Sequence, residues 1–259
     1  MPVTKNLDLT SEMCSTKGLS RQLFKAFMTA KNQILAALSA DVLDRLGPHL
    51  KRVTLALAET VHHPGEPLSH LYFPIDCLFS VTITMQDGAT SEVGIVGNRE
   101  VLGINTLMGN RENTQTEYLV QGAGSAMKID AQVMQQEFNR YGELHDLLLR
   151  YSQAFLAQVS QTAACNALHT LEQRLPRWLL EAQERIDSDH LPLTQEFIAT
   201  MLGVRRAGVT QTAQKLQERK LIQYRRRDVQ ILNQGGLEAS ACECFKRTKA
   251  EYDRLLGRK

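Results

Sequence analysis

The chain has 259 residues, 43% of them hydrophobic and 22% charged, with a formal net charge of +2. That length suffices for two domains with cores of their own, and the composition is that of a globular protein, which excludes disordered and fibrous classes. No apolar run approaches the ~18 residues that a membrane span requires. The polar N-terminus lacks the continuous apolar segment of a secretory signal, and five scattered cysteines (Cys14, Cys77, Cys165, Cys242, Cys244) fit a reduced, cytoplasmic protein.

In chain order, residues 1–30 show no sustained periodicity and read as a flexible extension. Ile34, Leu35, Leu38, Val42, Leu43 and Leu46 then recur at helical spacing, and Gly47-Pro48 stops that helix. Short β-branched or aromatic runs follow at Lys51–Leu57, Leu71–Phe73, Leu78–Thr84, Glu92–Val96, Tyr118–Val120 and Ala126–Ile129. Turn-forming residues separate them, including Pro64-Gly65 and the hairpin pair Asp87-Gly88. Close spacing without long helices between the strands predicts a β-roll over 31–140. From Asp130 the pattern turns helical. Leu144, Leu148, Tyr151, Phe155, Val159, Thr162 and Asn166 follow at steps of three and four, which predicts a dimerisation helix over 141–168. Another helix spans about Thr170 to Ile186, with Pro176 expected to kink it or mark a new start.

The segment from 169 to 259 carries the sharpest signal. Thr194 stands at an N-cap, Glu196 lies in the positive first turn, and Gly203 sits where the helix must stop. Ala199 is small where two helices cross, and Val204 and Val209 flank the turn, the pattern of a helix-turn-helix. A second helix from about Arg206 to Lys220 turns Val209, Ala213 and Leu216 inward. Arg206, Ala207, Thr210, Gln211 and Gln214 then face outward, and Arg, Gln and Thr are the residue types that read base edges. Arg205, Thr194 and Gln195 are candidate DNA contacts at the helix entrances. Thr212 is anomalous, because that position favours an aliphatic core contact. Beyond it, Leu221–Tyr224 and Val229–Leu232 flank Arg225-Arg226-Arg227, a β-wing whose tip is suited to phosphates. Residues 191–259 contain 14 Lys/Arg and 7 Asp/Glu, a net +7, whereas the other 190 residues contain 16 and 21, a net −5. Such a basic module on an acidic body is expected where one domain alone meets phosphates. With no nucleophile–base pair, metal triad or phosphate loop visible, an enzyme is not expected.

This order of elements resembles the Crp/Fnr family of bacterial transcription regulators over about residues 31–257. The motifs that carry the resemblance are Leu193 to Arg206 (LTQEFIATMLGVRR) and, upstream, Pro64-Gly65-Glu66 with His70-Leu71-Tyr72-Phe73-Pro74. It implies an α+β protein: an N-terminal double-stranded β-roll of cyclic-nucleotide-binding type, a long dimerisation helix and a C-terminal winged helix-turn-helix. It further implies a homodimer on a near-palindromic double-stranded DNA operator, with RNA polymerase as a further expected partner. Two departures are informative. Cyclic-AMP-binding members offer a Gly-Glu pair and an Arg-Ser/Thr-Ala run, where this chain presents Gly103-Ile104 and Thr114-Gln115-Thr116. A buried phosphate without its arginine leaves an unpaired charge, at a cost on the order of several kcal/mol. Cyclic AMP is therefore not the expected effector, which stays unknown, and no cofactor is predicted. On the second helix, the family's Arg-Glu pair and the Arg four residues later become Arg206-Ala207 and Gln211, so a different operator is expected. Two alternatives stay open: a cyclic-nucleotide-responsive factor whose loop re-registers to use Arg111, and a haem or redox sensor. Cys14 stands alone where iron–sulfur members cluster several thiols. His62, His63 and His70 read as surface residues. Cys242 and Cys244, placed on a helix about 200° apart, read as core or surface cysteines, and no metal site is predicted.

Overall fold

A computed structural model describes residues 31–109 and 113–257. The N-terminal extension with Cys14, and also Arg111, lie outside the described residues. Helices α1 (Gln33–Ala36) and α2 (Ala40–Leu46) precede seven strands: β1 (Lys51–Leu55), β2 (Thr60–His62), β3 (His70–Pro74), β4 (Leu78–Thr84), β5 (Thr90–Val96), β6 (Glu117–Gly122) and β7 (Gly124–Asp130). There follow α3 (Ala131–Phe138), α4 (Glu143–Leu168), α5 (Leu171–Ile186), β8 (His190–Leu191), α6 (Gln195–Leu202), α7 (Arg206–Glu218), β9 (Ile222–Arg225), β10 (Asp228–Ile231), α8 (Gln234–Ser240) and α9 (Cys244–Leu256).

The strands form two antiparallel sheets, β1-β7-β3 and β2-β6-β4-β5, with Leu55, Tyr72, Phe79, Val81, Tyr118 and Val120 packed between them. This is the predicted β-roll. The start of β4 is buried continuously and does not alternate, because its outer side is covered too: Leu78 joins the core built around Trp178 of α5. The predicted helix over 31–46 is broken. Asn32 caps α1 through its side-chain oxygen, and the Ser39 amide before α2 donates to Glu143 Oε2 at 3.0 Å. Strand β2, two residues before Pro64, lay outside the predicted runs. Helix α5 runs unbroken through Pro176, so no new start occurs there, and Thr170 and Gln173 form a capping box at its N-terminus.

Helix α4 has 26 residues and is roughly 39 Å long at ~1.5 Å per residue. Its inner face lies on the chain's own β-roll. Gly94 of β5 permits that approach, since a Cβ there would sit 2.9 Å from the Phe155 ring. Leu144, Leu148 and Tyr151 are buried among Ile34, Leu71, Phe73 and Tyr252, and Thr162 is buried as well. Phe155, Val159 and Asn166 are half-buried. Four of the seven residues predicted for a dimer face are therefore sequestered within the chain. The large apolar residues left outside are Leu149, Leu156 and Leu168, exposed by 50%, 66% and 79%. Leu149, Leu156 and the exposed Ala163 stand seven apart, which is one row of a coiled-coil seam.

The C-terminal module is seated on the β-roll through buried polar contacts. Arg185 Nε lies 2.9 Å from Glu100 Oε1, the Asn98 amide donates to the Arg185 carbonyl at 3.0 Å, and Trp178 Nε1 donates to Glu92 Oε1 at 2.7 Å. Among the described residues Glu92 Oε2 has no hydrogen-bond partner, and burial raises the carboxyl to about 7, against the pull of the nearby Ser80 hydroxyl and the Trp178 bond. The folded state thus holds a proton that an exposed carboxyl, near 4.5, has released. By linkage, this group's contribution to stability is full below the lower value, declines as pH rises to about 7, and is level above it. Trp178 is the single tryptophan of the chain. Its fluorescence is expected to titrate with a midpoint near 7, and Glu92→Gln is expected to abolish that transition. A flat wild-type signal across the neutral range would disprove a protonated Glu92.

Candidate nucleic-acid interface

Helices α6 and α7 meet as the capping residues dictate. Thr194 Oγ1 accepts the Phe197 amide at 3.1 Å, and Gly203 ends α6 in the left-handed region at φ +63°. The Val204 amide returns to the Ala199 carbonyl at 2.9 Å and tightens the turn. Ile198, Ala199 and Met201 of α6 pack with Val209, Ala213 and Leu216 of α7 in one core. Thr212 is buried, so the anomalous position does face inward.

The outward face of α7 carries Arg206, Ala207, Thr210, Gln211 and Gln214, all exposed. Arg205, also exposed, is the N-cap of α7 with extended backbone. Thr210 Oγ1 lies 2.7 Å from Gln195 Oε1, so the two residues predicted as separate contacts also brace α7 against the start of α6. Arg206 Nη1 lies 3.8 Å from Glu196 Oε2, with both side chains about two-thirds exposed. Such an exposed pair is worth at most ~1 kcal/mol, and it holds the guanidinium out from the helix without sequestering it. Arg205 and Arg206 also line an open crevice that α6 forms with Gly88, Ala89 and Thr90 of the β4–β5 turn.

The wing is a two-residue hairpin. Asp228 pairs with Arg225, leaving Arg226 and Arg227 at the tip, with Arg226 at φ +50°. Arg225, Arg226 and Arg227 are all exposed. A third strand, β8, which no sequence pattern marked, lies along β10, with His190 Nδ1 3.0 Å from Asp228 Oδ2. The last two helices do more than close this module: Phe245 packs within it, but Tyr252 and Leu255 join the core beneath the β-roll.

Inside the β-roll, a cavity of about 190 Å³ reaches from Val81, Val96 and Leu102 to Tyr151, Phe155 and Val159 of α4. Gly103, Ile104 and Thr116, which stand where cyclic-AMP-binding members carry their Gly-Glu and Arg-Ser/Thr-Ala residues, also line it. No described lining residue is charged. The three histidines are not gathered. His62 is buried against the Tyr118 ring, which lowers its pKa, His63 is exposed 3.9 Å from Glu117, and the His70 ring faces Ser69 Oγ at 2.7 Å. Cys242 and Cys244 do not share a helix, since Cys242 precedes α9 and Cys244 is its first residue; the 200° separation therefore does not apply.

The architecture defines a class: a β-roll that passes through one long helix into a winged helix-turn-helix. Residues 173–240 match the model of the Crp-like helix-turn-helix domain. The fold as a whole is similar to several solved structures. They include the c-di-GMP-responsive global regulator CLP of Xanthomonas campestris (19% identity, TM-score 0.59, covering 74% of this chain and 99% of that one). FixK2 of Bradyrhizobium japonicum gives 13% identity and a TM-score of 0.64 over 74% and 98% of the two chains. A CRP-family transcriptional regulator of Thermus thermophilus gives 22% and 0.59 over 74% and 96%. A search of curated proteins found no match. The C-terminal module is a Crp-like helix-turn-helix domain, and the chain has the fold of the Crp/Fnr transcription regulators.

Proposed function

We propose that this protein is a sequence-specific transcription regulator that binds double-stranded DNA as a homodimer. The observation that carries this reading is the outward face of α7, where Arg206, Thr210, Gln211 and Gln214 stand exposed on a helix locked by Val209, Ala213 and Leu216. A helix so presented enters a major groove, and Arg225, Arg226 and Arg227 on the wing then reach flanking phosphates. Two copies joined along α4 read two half-sites of a near-palindromic operator. The test is selection of genomic fragments by the purified protein, which should yield one enriched motif with dyad symmetry. Retention of random fragments alone would reject the reading.

Within that motif, Arg206→Ala is expected to weaken specific binding by about 1–3 kcal/mol, the worth of one bidentate base contact, while the dimer persists. Gel-shift titration against operator and scrambled duplex checks this, and an unchanged ratio of the two affinities removes Arg206 from base readout. The β-roll cavity supports an uncharged or weakly polar effector. Its described lining offers a cyclic phosphate no counter-charge, consistent with the loss of the Gly-Glu and Arg-Ser/Thr-Ala pattern.

A further inference from the structure

Four side chains that are up to 79 positions apart in sequence meet at one point, where α4 ends and the C-terminal module begins. Cys165 lies on the last turn of α4 and His169 caps that helix, one turn further along. Cys242 sits in the turn after α8, and Cys244 opens α9. All three thiols are buried and form an isolated cluster of their own. Cys165 Sγ is 3.5 Å from Cys242 Sγ, and Cys244 Sγ is 3.4 Å from His169 Nδ1. The four donor atoms all lie within 4.8 Å of one another.

We propose that Cys165, His169, Cys242 and Cys244 form a tetrahedral Cys3His site for one zinc ion, which pins the C-terminal module to the end of α4. The spacing is that of a single ion. Bonds of ~2.3 Å to sulfur and ~2.0–2.1 Å to nitrogen place tetrahedral donors of a Cys3His site roughly 3.5–3.8 Å apart. An iron–sulfur cluster divides its protein ligands between two or more irons, and so sets some of them farther apart than the 4.8 Å found here. A disulfide between Cys165 and Cys242 would use only half of the group and leave Cys244 and His169 facing each other unexplained.

The surroundings fit the charge and orientation that such a site needs. His169 Nε2 lies 3.3 Å from Glu243 Oε2, so the far ring nitrogen carries the proton and Nδ1 is left as the ligand. A carboxylate behind a ligating imidazole is the usual partner that fixes its tautomer. Gln161 Nε2 donates to Cys244 Sγ at 3.1 Å and so fixes where that sulfur sits. Three thiolates around a divalent cation carry one net negative charge, and the buried guanidinium of Arg177, itself paired with Glu181 at 3.1 Å, belongs to the same polar neighbourhood. The fourth thiol among the described residues, Cys77, is buried elsewhere, between the two sheets.

The inference is independent of DNA binding, and metal content tests it. The reduced full-length protein, stripped with a chelator and titrated with cobalt(II), should take up one equivalent per chain. It should then show sulfur-to-cobalt charge transfer in the near ultraviolet and the intense visible bands of a tetrahedral ion, both erased by an equivalent of zinc. Cys165→Ser and Cys242→Ser should reduce uptake to near zero, whereas Cys77→Ser should leave it unchanged. If the cysteine variants fail to fold, His169→Gln keeps three thiolates and should shift the visible bands. The proposal is overturned if reduced wild-type protein binds neither ion. It is equally overturned if the cobalt spectrum is indifferent to His169→Gln, or if anaerobically isolated protein carries a Cys165–Cys242 disulfide in place of metal.

Discussion

Leu156→Glu is expected to convert the protein from dimer to monomer at micromolar concentration, with loss of operator binding. Leu156 projects from the middle of α4 with two-thirds of its surface in solvent, one heptad from Leu149 and one from Ala163. Placed in a symmetric seam, each leucine contributes about 1.5–3 kcal/mol of burial, counted once per protomer. Losing both copies therefore costs about 4 kcal/mol, or roughly a thousandfold in the dimer constant, before repulsion between the paired carboxylates is added. Sedimentation velocity over a dilution series reads the effect directly. Tyr151→Leu is the matching control, because Tyr151 is wholly buried and donates to the Val101 carbonyl at 2.8 Å. That substitution should lower thermal stability and leave the association state alone. A dimer that tolerates glutamate at 156 would place the interface elsewhere.

The second large effect is expected at the wing. Replacing Arg225, Arg226 and Arg227 together by alanine should weaken operator and nonspecific duplex alike. The slope of log K against log salt should fall by roughly 0.9 for each phosphate contact removed, up to about three units for all three. At ~0.15 M salt this amounts to one or more decades of affinity, and motif preference stays as it was. The strands on either side are held by the β9–β10 register and by His190–Asp228, so the hairpin should survive the change. An unaltered salt slope would show that the tip does not reach the backbone.

Legibility varied along the chain for identifiable reasons. The reading module was plain because its determinants are local. Thr194 caps, Gly203 stops and Val209 packs within twenty residues, and each does in the structure what its type and spacing predict. The roll was recognisable from its longer strands, but β2 and β8 have three and two residues, too few for an alternating pattern to register. The break between α1 and α2 is supported by Glu143, about a hundred positions away, and locally it is marked only by Ser39, a suitable N-cap, and by Asp41 in the first turn. Helix α4 carries two apolar stripes. The more conspicuous one, with Leu144, Leu148 and Tyr151, is consumed by the chain's own core, and periodicity alone does not say which stripe meets a partner. Within the candidate interface, the sequence marked the exposed face of α7 correctly but gave no sign that Gln195 and Thr210 brace each other. The Cys165–His169–Cys242–Cys244 group was the hardest to see. Its halves come from segments that only the tertiary fold brings together, and Cys242-Glu243-Cys244 misleads when drawn as one helix.

Helix α9 belongs to two neighbourhoods, with Phe245 in the reading module and Tyr252 and Leu255 in the core under the roll. A reader cut free after His169 would carry a bare aromatic flank, and a sensor ended there would have an open wound in its floor. Neither half is a portable cassette. Exchanging the C-terminal module of this chain for another would therefore require its tail to stay with the β-roll that it completes, so that the two parts change together or not at all.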